Sequence, residues 1–529
     1  MRRGSTRERA KRDNWRSGTA DRRAVTRRQR EPRPAGRLLS VLAAIAAAAV
    51  AVVAGPALAA GDRRGVVLPI ALVAGAAVGV LAITRFSGYV ILMLAVRPLL
   101  DVVKLSGPTA GRADTDQASR LSDPSTMVAV LFLLAAGLWL AAQLRRSGRL
   151  RGTPLGWAML LVGATALVSA LGANRPTPSL LEAMRILTVV VMFVVLEQLM
   201  PDRAAVRRIL IACYGSLALA LLYTVLVSAF GQVPSEVKGQ FIRVSGPFSQ
   251  STTFGRYLMF MIVFGFAIYR FLARRAQLVL AVLLGLSLVF LMLTNTRSAI
   301  LGAALGLIVV AVLHRSGRML ATLLVVAVAG VSLLPSVGDR FAQLAEDRPT
   351  GGGPTGNTLQ WRVDYWAEIV TLANRNPVTG IGPNMTQHET SEAKKPHNDL
   401  LRAYVETGLA GLLAYLAMLV LLLYTARTAL RRAPPDSLER GVAVGFAGCA
   451  VVFIAVSLGS NVISNVVTLW YFVAFAAAAS AIAHGRTTSA IAHGRTTSAT
   501  THGRVADAIT HGRADTGSVT TPAPQFRYE

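Results

Sequence analysis

Cysteine is almost absent from this chain. Only Cys213 and Cys449 occur in 529 residues, both inside apolar runs, which excludes a disulfide framework and a thiolate metal site. Charge is scarce as well, at 16% of residues, and acids are scarcer still, with 27 Asp and Glu against 55 Lys and Arg. No carboxylate triad of the kind that holds Mg²⁺ appears in the polar connections. An apolar run close behind the first methionine is also missing. The first one begins at Leu38, behind an arginine-rich arm longer than a signal peptide's basic region. A retained first span is therefore expected, although Pro56–Ala60 mimics a cleavage site.

What fills the chain instead is apolar sequence: 53% hydrophobic residues and a mean hydropathy of +0.49. Such values exclude an ordinary soluble domain. A helix needs about 20 apolar residues to cross the hydrocarbon. Fourteen stretches qualify as candidates, from Leu38–Ala60 to Val462–Ile482, with Phe86–Val103, Met319–Leu334 and Val442–Leu458 among them. The expected fold class is an all-α polytopic membrane protein of about 12–14 transmembrane helices, with one long extracytoplasmic loop containing short helices.

The basic excess of +28 invites a nucleic-acid reading, but the arginines flank apolar spans, and orientation by positive charge explains them better. With the amino terminus in the cytoplasm, the connections holding Arg145–Arg151, Arg203–Arg208, Arg270–Arg275, Arg315–Arg318 and Arg427–Arg440 all fall inside. Both termini are then cytoplasmic in the cell membrane. Loops 104–125, 231–253, 294–297 and 335–402 open on the outer side. The chain divides into a basic arm (1–37), N-terminal spans (38–230), central spans (231–335), the large outer loop (336–402), C-terminal spans (403–482) and a low-complexity tail (483–529). His484, His493, His502 and His511 recur every nine residues in that tail, a spacing that suits no compact ligand set.

The outer loops carry the unusual residues. Arg297 lies between two apolar runs within Thr294-Asn295-Thr296-Arg297-Ser298, where an arginine is costly unless it snorkels or works. Arg243 precedes a Gly246-Pro247 turn rich in hydroxyls, fitted to phosphate or sugar oxygens or simply to water. Arg362 and Trp366 share one face of a loop helix. Gly380 and Gly382, in Asn376-Pro377-Val378-Thr379-Gly380-Ile381-Gly382, leave backbone N–H groups unshielded, as an anion site needs. His397, in Pro396-His397-Asn398-Asp399, is placed to take a proton at the mouth of the membrane; His388 is the alternative. Glu406 is a carboxylate in a costly place that can orient a partner. Arg97, Asp101, Glu182 and Arg185 are read as helix-pairing ion pairs.

Thr296-Arg297-Ser298, then Arg362 to Trp366, then Asn376-Pro377-x-x-Gly380-Ile381-Gly382, then His397-Asn398 and Glu406-x-Gly408-x-x-Gly411 together resemble the O-antigen ligase / O-antigen polymerase family, over roughly residues 240–425. Arg243-x-x-Gly246-Pro247-Phe248 is similar to the segment that precedes the shared domain. The resemblance implies transfer from a polyprenyl-pyrophosphate-linked glycan donor to a glycan or glycolipid acceptor hydroxyl. It implies an inverting reaction that needs no metal or cofactor. Arginine forks suit a pyrophosphate leaving group, which makes Arg297 and Arg362, supported by Arg243, a cation clamp. His397 is the base, or orients the acceptor. Asn398, Gly380 and Gly382 belong to the substrate site, and Trp361, Tyr365 and Trp366 offer faces for sugar rings. Membrane lipids surround the protein, and nucleic acid is not among its partners. The alternative is a transporter or flippase of lipid-linked glycans, whose mark would be intramembrane charges along a central path and repeated halves.

Overall fold

A computed structural model describes residues 63–106, 124–238, 241–318, 358–391 and 393–487. The candidate spans Leu38–Ala60 and Met319–Leu334, the basic arm, and the tail with His493, His502 and His511 lie outside the described residues. The chain separates at Phe86 into two compact units. In the first, the described residues form one helix, α1 (Arg63–Thr84).

The second unit is built from helices in chain order. These are α2 (Phe86–Val96), α3 (Pro124–Ser147), α4 (Pro154–Leu171), α5 (Pro176–Leu199), α6 (Arg203–Ala229), α7 (Ser251–Tyr269), α8 (Arg274–Leu293) and α9 (Arg297–Leu313). After them come α10 (Thr358–Ala373), the single turn α11 (Thr386–Glu389), α12 (Asp399–Arg432), α13 (Leu438–Ser457) and α14 (Val466–Ala483). A short hairpin, β1 (Ser235–Lys238) with β2 (Phe241–Val244), stands between α6 and α7. Nine helices among the described residues are long and apolar enough to cross a membrane, and α9 is a shorter apolar helix. The chain is a multi-pass membrane protein.

Local chemistry starts these helices where they start. Prolines open α4 and α5 at the first position, where a missing N–H costs nothing. Side-chain oxygens of Thr153, Asp202 and Ser437 cap α4, α6 and α13 by accepting first-turn N–H groups. The expected span Phe86–Val103 is corrected here. Its helix ends at Val96 and a 3₁₀ turn (Leu99–Ser106) follows, because Pro98 supplies no N–H and disfavours helical backbone at Arg97. Arg97 then pairs with Asp101 at 3.1 Å within its own segment.

The core is centred on α14, which is apolar all round and almost wholly buried, as a helix enclosed by others must be. Phe475 stacks on Phe264 of α7 at 3.9 Å between ring centres, and Phe472 on Phe453 of α13 at 4.7 Å. One end of the bundle is tied by basic residues: Arg203 to Glu439 at 2.9 Å, Arg151 to Gln198, and Arg440 to the Leu430 carbonyl. The other end gathers the ends of α4, α6, α8 and α13 with the starts of α5, α7, α9, α12 and α14.

Candidate active site

That second end is organised by a break in α12. The helix spans 34 residues, but Gly408 has φ 67° and ψ −169°, so it is two helices joined at a kink. The break frees carbonyls, and residues 377–382 fill the gap. Ile381 N–H donates to the Val405 carbonyl at 3.0 Å, Gly382 N–H to the Glu406 carbonyl at 3.0 Å, and Leu409 N–H to the Pro377 carbonyl at 2.8 Å. Ser169 Oγ of α4 adds a bond to the Glu406 carbonyl at 2.6 Å. A Cβ on Gly408 would lie 2.1 Å from the Val378 carbonyl oxygen, and one on Gly380 2.5 Å from the backbone of Glu406.

This corrects the reading of the Gly-x-Gly turn as an open anion cradle. Gly380 N–H donates to the Asn376 carbonyl and Gly382 N–H to Glu406, so neither donor is left over for a ligand. The glycines are needed for close approach and left-handed backbone. Asn398 is likewise the N-cap of α12, its Oδ1 accepting from Leu400 and Leu401 at 3.0 and 3.1 Å. Trp366 Nε1 donates to the Pro396 carbonyl at 2.6 Å. Tyr365 is buried, with its hydroxyl on Thr390 and on the Lys394 carbonyl. These two aromatics clamp the segment leading to His397, and Tyr365 offers no face to a sugar. The side chains of Trp361 and Arg362 lie outside the described residues, on the first turns of α10.

Above the kink lies a buried ion network. Arg402 donates to Glu182 of α5 at 2.9 Å, to Glu406 at 2.8 Å and to Ser464 at 2.6 Å. Lys395 reaches Glu182 at 3.3 Å and Ser464 at 3.1 Å, and burial holds its ammonium below the usual lysine range against the pull of Glu182. Glu406 also accepts from Thr386 at 2.9 Å. Glu182 thus joins helices, as expected of it, but its strong partner is Arg402 rather than Arg185, which stands at 3.4 Å. Neither Arg402 nor Lys395 was expected in this role. Arg402 carried one readable signal, its i,i+4 spacing to Glu406.

The polar loop 458–465 closes the end. Asp399 Oδ2 accepts the N–H groups of Val462 and Ile463 at 2.8 and 3.3 Å. Arg256 of α7 donates to the Asn461 carbonyl at 2.9 Å and to Ser460 Oγ. The Asn461 amide lies 3.4 Å from His397 Nδ1, and Thr253 donates to Asn465 at 2.9 Å. The expected span Val462–Ile482 therefore begins four residues late, because its first residues bind Asp399 instead of turning helically.

Arg243 and Arg297 meet on the α7–α9 side. Glu236 faces Arg243 across the hairpin but gives its Oε1 to Ser251 N–H and Oγ. Arg243 is 7% exposed, and burial lowers its pKa while Glu236 raises it. Its charge acts on Arg297. Among the described residues neither guanidinium forms an ion pair, and the Nε of each is buried without a hydrogen bond. Thr294 and Thr296 pack on Gly255 of α7, one residue from Arg256. The first turn of α9 has no side-chain cap, so the positive end of its dipole adds to Arg297. The same end of the bundle thus holds Arg243, Arg297 and Arg256, with His397 linked to Arg256 through Asn461. Among the described residues no group of three His, Cys, Asp or Glu could hold a metal ion.

Residues 280–416 match the family model for O-antigen ligase. The matched stretch runs from α8 past the kink of α12, and so includes Arg297, Arg362, His397, Arg402 and Glu406. No curated protein matches the chain.

Proposed function

We propose that this O-antigen ligase segment and the helices around it transfer a glycan from a polyprenyl-pyrophosphate donor to an acceptor hydroxyl, at the outer face of the cytoplasmic membrane. The observation that carries the reading is the Arg243–Arg297 pair: two guanidinium groups from separate segments, near enough for the charge of one to act on the other, neither of which forms an ion pair among the described residues. Like charges with buried, unpaired donors are costly unless an anion joins them. A pyrophosphate is such an anion, and forked donors match its oxygens.

In the reaction the acceptor oxygen attacks the anomeric carbon from the face opposite the pyrophosphate. The bond from that carbon to the pyrophosphate oxygen breaks with its electron pair, and Arg243 and Arg297, joined by Arg362 from α10, hold the charge that develops. His397 takes the proton of the acceptor hydroxyl. The cationic work falls to side chains, so the reaction is metal-independent. The Arg402–Glu182–Glu406 network keeps the first turns of α12, and hence His397, in place.

The test compares lipid-linked glycan pools in cells with and without the protein. Donor accumulating on the outer face is the expected result. Donor accumulating inside would make the protein a flippase and end this reading.

A further inference from the structure

We propose that the connection from α6 through the β1–β2 hairpin is seated in the lipid surface at the end of the bundle that holds the candidate site, and that this seat sets Arg243 level with the phosphates of membrane lipids. The second half rests on the reading of Arg243 as part of the clamp.

The length of α6 sets the depth. Its first turns carry Arg203, Arg207 and Arg208, and from Ile209 to Phe230 no charged residue occurs. At about 1.5 Å per residue that run rises about 33 Å, against a hydrocarbon core of about 30 Å. With the arginines at one boundary, Phe230 arrives at the other. Leu222, Leu226 and Phe230 follow at four-residue intervals and share a face, and they are 53%, 48% and 84% exposed. On a membrane span such an open apolar stripe meets lipid tails.

The chain then stays at that depth. Gly231, with φ 78°, turns it back, and the N–H groups of Gly231 and Gln232 donate to the Ser228 and Val227 carbonyls at 3.1 and 3.2 Å. The Pro234 carbonyl accepts Ser245 N–H at 2.8 Å and Ser245 Oγ at 3.1 Å, which ties the connection to the segment after Arg243. β2 packs beside α8, a span most of which is open to its surroundings. Two more apolar side chains are open here, Val233 and Ile242, the latter 68% exposed. On a soluble protein such scattered groups would need no explanation. At the boundary of the hydrocarbon they have lipid to enter.

Neighbours in a strand point to opposite sides. Ile242 is open and Arg243 is buried, so Ile242 in lipid sets Arg243 on the inner side at the same height. Lipid phosphates lie just above the hydrocarbon boundary. A pyrophosphate carried on a lipid chain presents its charge in that layer, where Arg243 stands.

The experiment places a nitroxide on Phe230→Cys, Ile242→Cys or Asp436→Cys in the full chain, in nanodiscs of phosphatidylethanolamine and phosphatidylglycerol. Native Cys213 and Cys449 are buried, and the parent carried through the same labelling gives the background. Power saturation compares collisions with oxygen, which concentrates in lipid, and with a nickel chelate, which stays in water. Oxygen should dominate at Phe230 and Ile242, and the chelate at exposed Asp436 on the opposite end. A chelate-dominated signal at Ile242 overturns the seat. Line broadening between Ile242 labels when two chains share a disc would put a second copy there, and overturns it too. For the second half, Ile242→Asp should lower glycan transfer roughly tenfold or more, as small misplacements of a positioned group do, while Ile242→Leu keeps the parent rate. Parent-rate transfer by Ile242→Asp overturns the link to Arg243. If the labels read lipid while Arg243→Ala keeps full transfer, the clamp fails and the seat stands. If they read water while Arg243→Ala abolishes transfer, the seat fails and the clamp stands.

Discussion

Leu409 donates its backbone N–H to the carbonyl of Pro377 at 2.8 Å, where an unbroken helix would have sent it to Val405. That substitution of one acceptor for another explains why a proline–glycine turn and a glycine-bearing helix occur in the same protein. The turn supplies bonds to the Val405 and Glu406 carbonyls and takes the Leu409 N–H, in place of bonds that the helix break gives up. It also fixes the first turns of α12, which carry Asp399, Arg402 and Glu406.

Replacing Gly408 should therefore cost more than replacing a glycine of the same φ elsewhere. Gly408→Ala meets left-handed strain of about 1–2 kcal/mol and a clash with the Val378 carbonyl as well. Gly148 has the same φ of +67° with nothing within 4 Å of its would-be Cβ, so Gly148→Ala should lose only the strain. Thermal unfolding of the two variants in detergent checks the order; equal losses would remove the intercalated turn from the account.

Breaking the ion network from its centre should be severe. Arg402→Met leaves Glu182 and Glu406 buried without their main partner, and a loss of about 3–5 kcal/mol is expected. Lys395→Met removes a longer contact from the same carboxylate and should cost well under half of that. Chemical unfolding of both variants measures the difference, and a cheap Arg402→Met would show that water reaches the pair.

At the opposite end, His314 gives a pH dependence with a definite sign. Its imidazole, bonded to the Ala267 carbonyl at 3.1 Å, is held below its ordinary value by burial and then by Arg270, with a smaller contribution from Arg440. The unfolded chain takes up this proton near pH 6.5, before the folded chain does. Stability from this group is therefore fully present above that value and is lost as pH falls below it. His314→Gln should shrink the drop in melting temperature between pH 7.5 and pH 5.5; an unchanged or larger drop would reverse the sign.

Hydropathy and loop charge made most helices legible, because lipid imposes length and apolarity on any span. The order of Arg297, the Gly380–Gly382 turn, His397 and Glu406 was legible as a motif. Its physical meaning was not, since the turn at 377–382 pairs with residues 405–409, and no local pattern announces a pairing at that distance. Asn398 ahead of Asp399-Leu400-Leu401 carried an ordinary N-cap signal that a functional reading obscured. The partnership of Arg402 with Glu182 crosses 220 positions and left no trace in the sequence. Loop 458–465 was hidden inside an apolar average, although Ser460, Asn461, Ser464 and Asn465 stand close together there.

The most direct test of the account is the rate of glycan transfer in membranes carrying Arg243→Ala, Arg297→Ala and the double variant, each checked for insertion and folding. If the two guanidinium groups form one pyrophosphate clamp, each single variant should lose about 10²-fold or more, as for other charge-stabilising donors. The double variant should then lose much less than the product of the two. Transfer near the parent rate in both single variants would contradict the clamp and the reaction built on it.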